Sequence, residues 1–124
     1  MNTEATKYAK AVVAGKVVAG SNVIAACKRH LDDLRESKKK GAVFVWDQGG
    51  ADRVLAFAKL CHHYKGPLAG EAFNPDPWQC FILQSVIAWK RKDNGRRRYR
   101  IAYVEVARKN AKTYLAAVVA LYLL

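Results

Sequence analysis

The chain has 124 residues, 52% of them hydrophobic, which suits one globular domain with a modest core and excludes a disordered polymer. Lysine and arginine number 22 against 10 acidic residues, and the charge of +12 favours an anionic partner, most often nucleic acid. A basic protein without a specific partner is the alternative. No apolar run reaches the roughly 18–20 residues that span a membrane.

The cysteines indicate buried thiols in a reducing compartment. Cys27, Cys61 and Cys80 are an odd number and lack the spacing of a disulfide framework. Cys27 with His30, and Cys61 beside His62, would supply zinc ligands. The paired spacings typical of zinc sites are missing, so we expect no zinc.

Hydrophobic periodicity predicts three helices in the first half of the chain. The first lies in the Ala/Val-rich stretch Tyr8–Val18 and is interrupted or ended near Gly15. The second begins with Ser21 as its N-cap and ends at three lysines followed by Gly41. A short extended segment, Ala42–Trp46, separates it from the third helix.

Aspartates are predicted to cap two helices. Asp47 precedes the third helix, which Gly66 and Pro67 close. Asp76 precedes Pro77, and a capping carboxylate followed by proline at the first helical position is a strong helix start. An apolar stripe predicts the core face of this fourth helix: Trp78, Phe81, Ile82, Ser85, Val86 and Trp89.

The last quarter of the chain is predicted to form a strand, a loop and a helix. Arg100–Val106 is rich in β-branched and aromatic residues, which favours a strand. Lys112 and Thr113 then open an apolar helix that runs to Leu124. A loop ending in Lys-Thr between strand and helix is the layout of a phosphate-binding P-loop. There the lysine reaches the outer phosphates and the hydroxyl completes Mg²⁺ coordination.

A basic turn before a buried helix, with Lys112 in solvent, is the alternative for this loop. The usual pattern G-x-x-x-x-G-K-[ST] has Val106 and Ala111 at its two glycine positions. Against the alternative, Arg108, Lys109 and Lys112 crowd a helix start, where positive charge is unfavourable unless an anion binds.

Together these residues resemble the N-terminal end of bacteriophage terminase large subunits, the ATP-driven motors that package DNA into procapsids. The most specific parts are the helix that begins with Pro77, Trp78 and Gln79 and the loop that ends in Lys112 and Thr113. Other stretches match in the family's order: Ala26–Leu31, Ala51 with Arg53 and Phe57, Lys65 with Gly66, and Gly95 with Arg97 and Arg98.

The resemblance implies an α/β fold. A mostly helical N-terminal region, residues 1–66, would lead into the first strand, P-loop and helix of a P-loop NTPase, residues 67–124. We expect this ATPase domain to be incomplete. The family's Walker B strand, catalytic glutamate and nuclease domain should lie beyond residue 124, so the chain alone should not hydrolyse ATP.

The resemblance also assigns the nucleotide site. Lys112 and Thr113 would contact the phosphates and Mg²⁺ of ATP, and Arg108 would sense the γ-phosphate. Arg108 and Lys112 are thus the expected catalytic residues. Gln79 would read the adenine, and the rest of the Walker A loop, Lys109, Asn110 and Ala111, would also bind the nucleotide. Ala111 replaces the family's glycine and adds a Cβ where the backbone approaches phosphate, which should weaken affinity.

The partners implied by the resemblance are double-stranded DNA, the portal protein, the small terminase subunit and further copies of the chain in the working motor. The motor would act in the host cytoplasm, docked on the procapsid.

Two other functions stay open. One is a small basic, non-catalytic module that binds nucleic acid, and the other is a helicase-like P-loop ATPase, which can also carry an upstream glutamine. The basic segment Lys90–Arg100 is expected to bind duplex DNA weakly through phosphates. The alternative for that segment is a solvated turn beside the core helix.

Overall fold

The computed structural model of the chain describes residues 3–60, 75–105 and 112–123, the last range with side chains from Leu115 onward. These residues form five helices and a two-stranded sheet. In chain order the elements are α1 (Glu4–Val13), α2 (Ser21–Glu36), β1 (Phe44–Trp46), α3 (Gln48–Leu60), α4 (Pro77–Ala88), β2 (Trp89–Arg91) and α5 (Lys112–Leu123). No helix in this described part of the chain is long and apolar enough to span a membrane.

The first two helices begin at different residues than the sequence predicts. Helix α1 starts earlier, because Thr3 Oγ1 accepts a hydrogen bond from Thr6 N–H at 3.1 Å and caps it. It ends as predicted before Gly15, whose φ of +80° favours glycine. The predicted cap of α2 is wrong. The cap is Gly20, whose carbonyl accepts from Ile24 N–H at 3.0 Å, and Ser21 is already helical.

Both predicted aspartate caps are confirmed. The Asp47 carboxylate accepts a hydrogen bond from the Gly50 N–H, and its carbonyl accepts from Ala51 N–H at 3.0 Å. Asp76 and Gln79 form a reciprocal capping box, in which the Asp76 N–H donates to Gln79 Oε1 at 2.8 Å. Helices α3 and α4 therefore begin where the sequence places them.

The predicted stripe on α4 is only partly correct. Phe81 and Trp89 are buried, but Trp78, Ile82 and Val86 are only half-buried. The reason is that α1 packs on one side of α4 and α3 on another, so the helix is covered nearly all round. The buried positions that the stripe missed are Gln79, Cys80, Leu83, Gln84, Ile87 and Ala88.

The sheet is antiparallel and ends in a tight turn. Trp46 of β1 lies opposite Trp89 of β2. After β2 the chain turns through the predicted Asn94-Gly95 pair, with φ of +70° at Gly95, and returns alongside β2. The Arg98 N–H then donates to the Trp89 carbonyl at 2.8 Å.

The predicted strand Arg100–Val106 is not formed in its described part, residues 100–105. Ile101 and Tyr103 are 87% and 86% exposed, and residues 101–105 have no strand partner among the described residues. A single strand cannot satisfy its backbone groups, so this segment is irregular. Val106 lies outside the described residues.

Two buried clusters hold the elements together, one around α1, α2 and the sheet, the other between α3, α4 and α5. The packing of α1 on α4 and of β1 on β2 joins the predicted regions 1–66 and 67–124. Cys27 and Cys80 are buried free thiols, as predicted, and burial raises the pKa of each to about 11. Cys61 lies outside the described residues.

A buried amide connects three of the helices. Gln84 Oε1 accepts a hydrogen bond from Ala5 N–H at 2.8 Å, and Gln84 Nε2 donates to the Ala51 carbonyl at 3.2 Å. The Ala5 N–H lies in the first turn of α1, where helix geometry offers it no partner. Gln84 therefore fixes α1 and α3 against α4.

Candidate functional site

The predicted phosphate loop falls mostly outside the described residues. Arg108, Lys109, Asn110 and Ala111 lie there entirely. Lys112 is the first residue of α5 and Thr113 the second, although their side chains are not described. The Lys-Thr pair thus stands at a helix N-terminus, where backbone N–H groups lack intrahelical partners and favour an anion.

Gln79, the predicted adenine-reading residue, lies in the first turn of α4 and is 4% exposed. Its Oε1 accepts from Asp76 N–H, so this oxygen already serves the helix cap. A base that used the same oxygen would compete with the cap. The role of Gln79 in adenine binding stays a prediction.

A strongly basic cleft of about 790 Å³ lies between the start of α3, the turn after β2 and the last turn of α5. Among the residues that the structure describes, no acidic one lines it. We call it the arginine cleft, after its seven cationic lining residues: Arg53, Lys90, Arg91, Arg96, Arg97, Arg98 and Arg100.

Asp47 neutralises part of this charge from the side of α3. Lys90 Nζ donates to Asp47 Oδ2 at 2.6 Å, and the Arg53 guanidinium lies 3.6 Å from the same oxygen. The hydrogen bond from Lys90 and that from Gly50 N–H lower the pKa of Asp47, so it carries its charge at neutral pH. Asp47 thereby holds β2 against the start of α3.

Arg98 is a structural member of the cleft. Its side chain is 18% exposed, and Nη1 donates to Asp33 Oδ2 at 2.7 Å. The guanidinium lies 4.1 Å from the ring centroid of Phe44 and 5.0 Å from that of Tyr99. These contacts dock the returning chain on α2 and β1, and they use the donors and faces that an anion would need.

The remaining arginines are Arg96, Arg97 and Arg100, all exposed. Arg91 is paired with Asp93 at 2.8 Å, whereas these three have no carboxylate within ion-pair distance in the described part of the chain. Arg97 Nη1 reaches only the Tyr99 carbonyl, at 3.5 Å. Exposed cations without an internal partner are the groups that bind an external anion.

The arginine cleft and the start of α5 lie at opposite ends of that helix. Tyr122 and Leu123 line the cleft at the C-terminal end of α5, whereas Lys112 begins the same helix. Ten residues of α-helix span about 15 Å. The backbone at Lys112 is therefore about 15 Å along the helix axis from the part of the cleft that Tyr122 lines.

Sequence reasoning missed two features of the cleft. Lys90 and Asp47 are 43 positions apart, and no local sequence pattern predicts that they pair. In the sequence, the three arginines of Arg96–Arg98 appear equivalent. In the structure, Arg98 alone of these three forms an ion pair with Asp33. The one signal for it was Tyr99 beside Arg98, an aromatic ring available for stacking.

Comparison with known proteins bears on residues 77–124. The family model described as the terminase large subunit ATPase domain matches this stretch. The match begins at the first residue of α4 and includes Gln79, the arginine-rich turn, Lys112 and Thr113. No curated protein and no solved structure matches the chain. The resemblance drawn from the sequence is confirmed over this stretch, which is similar to the ATPase domain of terminase large subunits.

Proposed function

We propose that the chain is the nucleotide-binding part of a DNA-packaging ATPase and binds Mg·ATP at the loop before α5. The observation that carries this proposal is the family match, which spans both the helix of Gln79 and the Lys112-Thr113 pair. The placement of that pair at a helix start supports it, because phosphate binds where helical N–H groups are unpaired.

Each residue of the site has a distinct chemical task. The Lys112 ammonium neutralises the outer phosphates, and the Thr113 hydroxyl joins the coordination of Mg²⁺. The Arg108 guanidinium stabilises charge on the transferred phosphoryl group. Lys109, Asn110 and Ala111 contribute backbone N–H groups to the phosphate cradle. ATP supplies the phosphoanhydride bond whose hydrolysis would drive the motor.

The proposal extends to the assembly in which the chain works. Double-stranded DNA is the substrate that is moved, and the portal protein and the small terminase subunit are partners. Several copies of the chain act together on the procapsid in the host cytoplasm. These roles follow from the family and are proposed for this chain on that ground.

A titration with a fluorescent ATP analogue and Mg²⁺ tests the site. Lys112→Ala should weaken binding at least tenfold, because the variant lacks the ammonium group that is proposed to neutralise the outer phosphates. Thr113→Ala should weaken binding only when Mg²⁺ is present, since its hydroxyl acts through the metal. Lys10→Ala removes an equal charge from the exposed face of α1 and is the control. Equal affinities for Lys112→Ala and Lys10→Ala would contradict the proposal.

A non-catalytic nucleic-acid-binding module is the second candidate, and the arginine cleft favours it. The two candidates differ in one measurement. A module of this kind binds DNA but shows no Mg·ATP binding that depends on Lys112.

A further inference from the structure

We infer that the arginine cleft is a docking surface for the phosphate backbone of duplex DNA and that Arg96, Arg97 and Arg100 make the contacts. The inference concerns the residues of the cleft and not those of the predicted nucleotide loop, and it does not depend on ATP binding. It divides the basic segment into residues that hold the fold and residues that face a ligand.

The positive charge of the cleft is only partly neutralised by the described carboxylates. Seven cations line it, and three carboxylates outside the lining, Asp33, Asp47 and Asp93, are paired with four of them. The other three guanidinium groups lie within five residues of chain and face solvent. Like charges so close repel one another unless counter-ions or a polyanion gather there.

The support beneath these arginines is rigid. Arg91 N–H donates to the Arg96 carbonyl at 2.8 Å, and Lys90 and Arg97 form an isolated antiparallel β-bridge. On the far side of Arg97, Arg98 is fixed by Asp33. The backbone that carries Arg96 and Arg97 is therefore held in place before a ligand arrives, which reduces the entropy lost on binding.

The ligand chemistry favours a duplex over a single strand. Proteins that bind single strands stack the bases on exposed aromatic rings. Tyr122 is the aromatic residue in the cleft lining, and its ring packs edge-on against Phe57 at 5.5 Å between centroids. The nearby faces of Phe44 and Tyr99 are covered by Arg98. The cleft thus offers charge without a stacking platform, which suits a dense row of phosphates.

The test measures the salt dependence of binding to a fluorescent DNA duplex for the 124-residue chain. The double variant Arg96→Gln/Arg97→Gln removes two cations from the cleft. Lys38→Gln/Lys40→Gln removes two exposed cations from the end of α2 and is the matched control. We expect the first double variant to bind at least tenfold more weakly, with a log–log salt slope reduced by about 2, and the second to match the parent.

Further variants distinguish a loss of phosphate contacts from a loss of folding. Arg100→Gln lies beyond the hairpin pairing and should reduce the slope by about 1. Arg96→Lys/Arg97→Lys should retain most of the slope, because the charges remain. Thermal unfolding shows whether each variant is folded.

Three results would overturn the inference. The first is an equal loss of affinity in the two double Gln variants, which would show that the net charge of the chain, and not the position of the cations, determines DNA affinity. The second is tighter binding of a single strand than of the duplex. The third is competition by polyglutamate as effective as that by unlabelled duplex, which would point to an acidic protein partner.

Discussion

The indole N–H of Trp89 donates a hydrogen bond to Nδ1 of His30 at 3.2 Å, across 59 residues of sequence. Since indole nitrogen is only a donor, Nδ1 must be the unprotonated nitrogen of the imidazole. The proton is then on Nε2, which donates to Thr6 Oγ1 at 3.2 Å. His30 is 3% exposed, and the rings of Trp46, Phe81 and Trp89 surround it edge-on. The network connects α1, α2 and β2 only while the imidazole is neutral.

The first prediction is a loss of stability in mild acid. Burial lowers the pKa of His30 to about 4, against an ordinary value of 6.5. Between these values the unfolded chain binds the proton and the folded chain does not, so stability is complete above pH 6.5 and falls as the pH drops towards 4. From pH 7 to pH 5 the parent should lose about 2 kcal/mol of unfolding free energy through this residue. Denaturant melts measure the loss.

His30→Gln is the control for that measurement, because its amide can donate and accept hydrogen bonds in place of the imidazole but does not titrate. The variant should be less stable than the parent at pH 7, and the difference should shrink at pH 5. Parallel pH profiles for the two proteins would show that His30 does not titrate as described.

The second prediction concerns the amide that holds three helices together. Gln84→Leu should lower the unfolding free energy by about 2 kcal/mol, because the Ala5 N–H then lacks its buried partner. Ser85→Ala is the neighbouring control. Ser85 Oγ is buried without a hydrogen-bond partner among the described residues, so its removal should change stability little or raise it. A Gln84→Leu protein as stable as Ser85→Ala would contradict the role given to the amide.

The third prediction concerns the cap of α3. An added Cβ at Gly50 would lie 2.7 Å from Asp47 Oδ2, so Gly50→Ala should displace the carboxylate from its cap and from Lys90. We expect a loss of about 1 kcal/mol in unfolding free energy. At Gly49 the nearest atom to such a Cβ is the flexible end of Arg53, at 3.1 Å, and Gly49→Ala should be tolerated. Equal stabilities of the two variants would argue against this contact.

The fourth prediction separates Arg98 from Arg96. Arg98→Ala should lower the unfolding free energy by about 2 kcal/mol, because Asp33 loses its partner and three rings lose a stacked guanidinium. Arg96→Ala should change it by less than about 0.5 kcal/mol, as is usual for an exposed side chain. Similar thermal midpoints for the two variants would mean that Arg98 is not structural.

The sequence predicts those parts of the fold that depend on neighbouring residues. The caps at Asp47 and Asp76, the helix end at Gly15 and the turn at Gly95 are local features and are confirmed. The strand at Arg100–Val106 was predicted from residue preference alone, and preference cannot supply a partner strand.

For the candidate sites the same distinction holds. The Lys112-Thr113 pair could be predicted as a site because its motif is contiguous, and the basic turn because its charges are adjacent in the sequence. Two contacts distinguish the structural cations from the exposed ones: Lys90 with Asp47 and Arg98 with Asp33. Both join residues that are distant in sequence, and they depend on how the elements pack.

The fifth prediction concerns Ala111, which the resemblance to terminases aligns with the glycine of their Walker A loop. Ala111→Gly should tighten Mg·ATP binding several-fold, since it removes a Cβ from the place where the backbone approaches phosphate. Ala11→Gly, on the half-buried side of α1, is a control for general effects of the same exchange. Unchanged or weaker binding by Ala111→Gly would place the phosphates elsewhere.

The rise in thermal midpoint on adding Mg·ATP is the most direct test of nucleotide binding at α5. A ligand that binds only the folded chain raises the midpoint, and the rise grows with the logarithm of the ligand concentration divided by Kd. Mg·ATP should raise the midpoint of the parent, and adenosine, which lacks the phosphates, should not. In Lys112→Ala the rise should be absent. An equal rise in Lys112→Ala, or no rise in either the parent or Ala111→Gly, would contradict nucleotide binding by this chain.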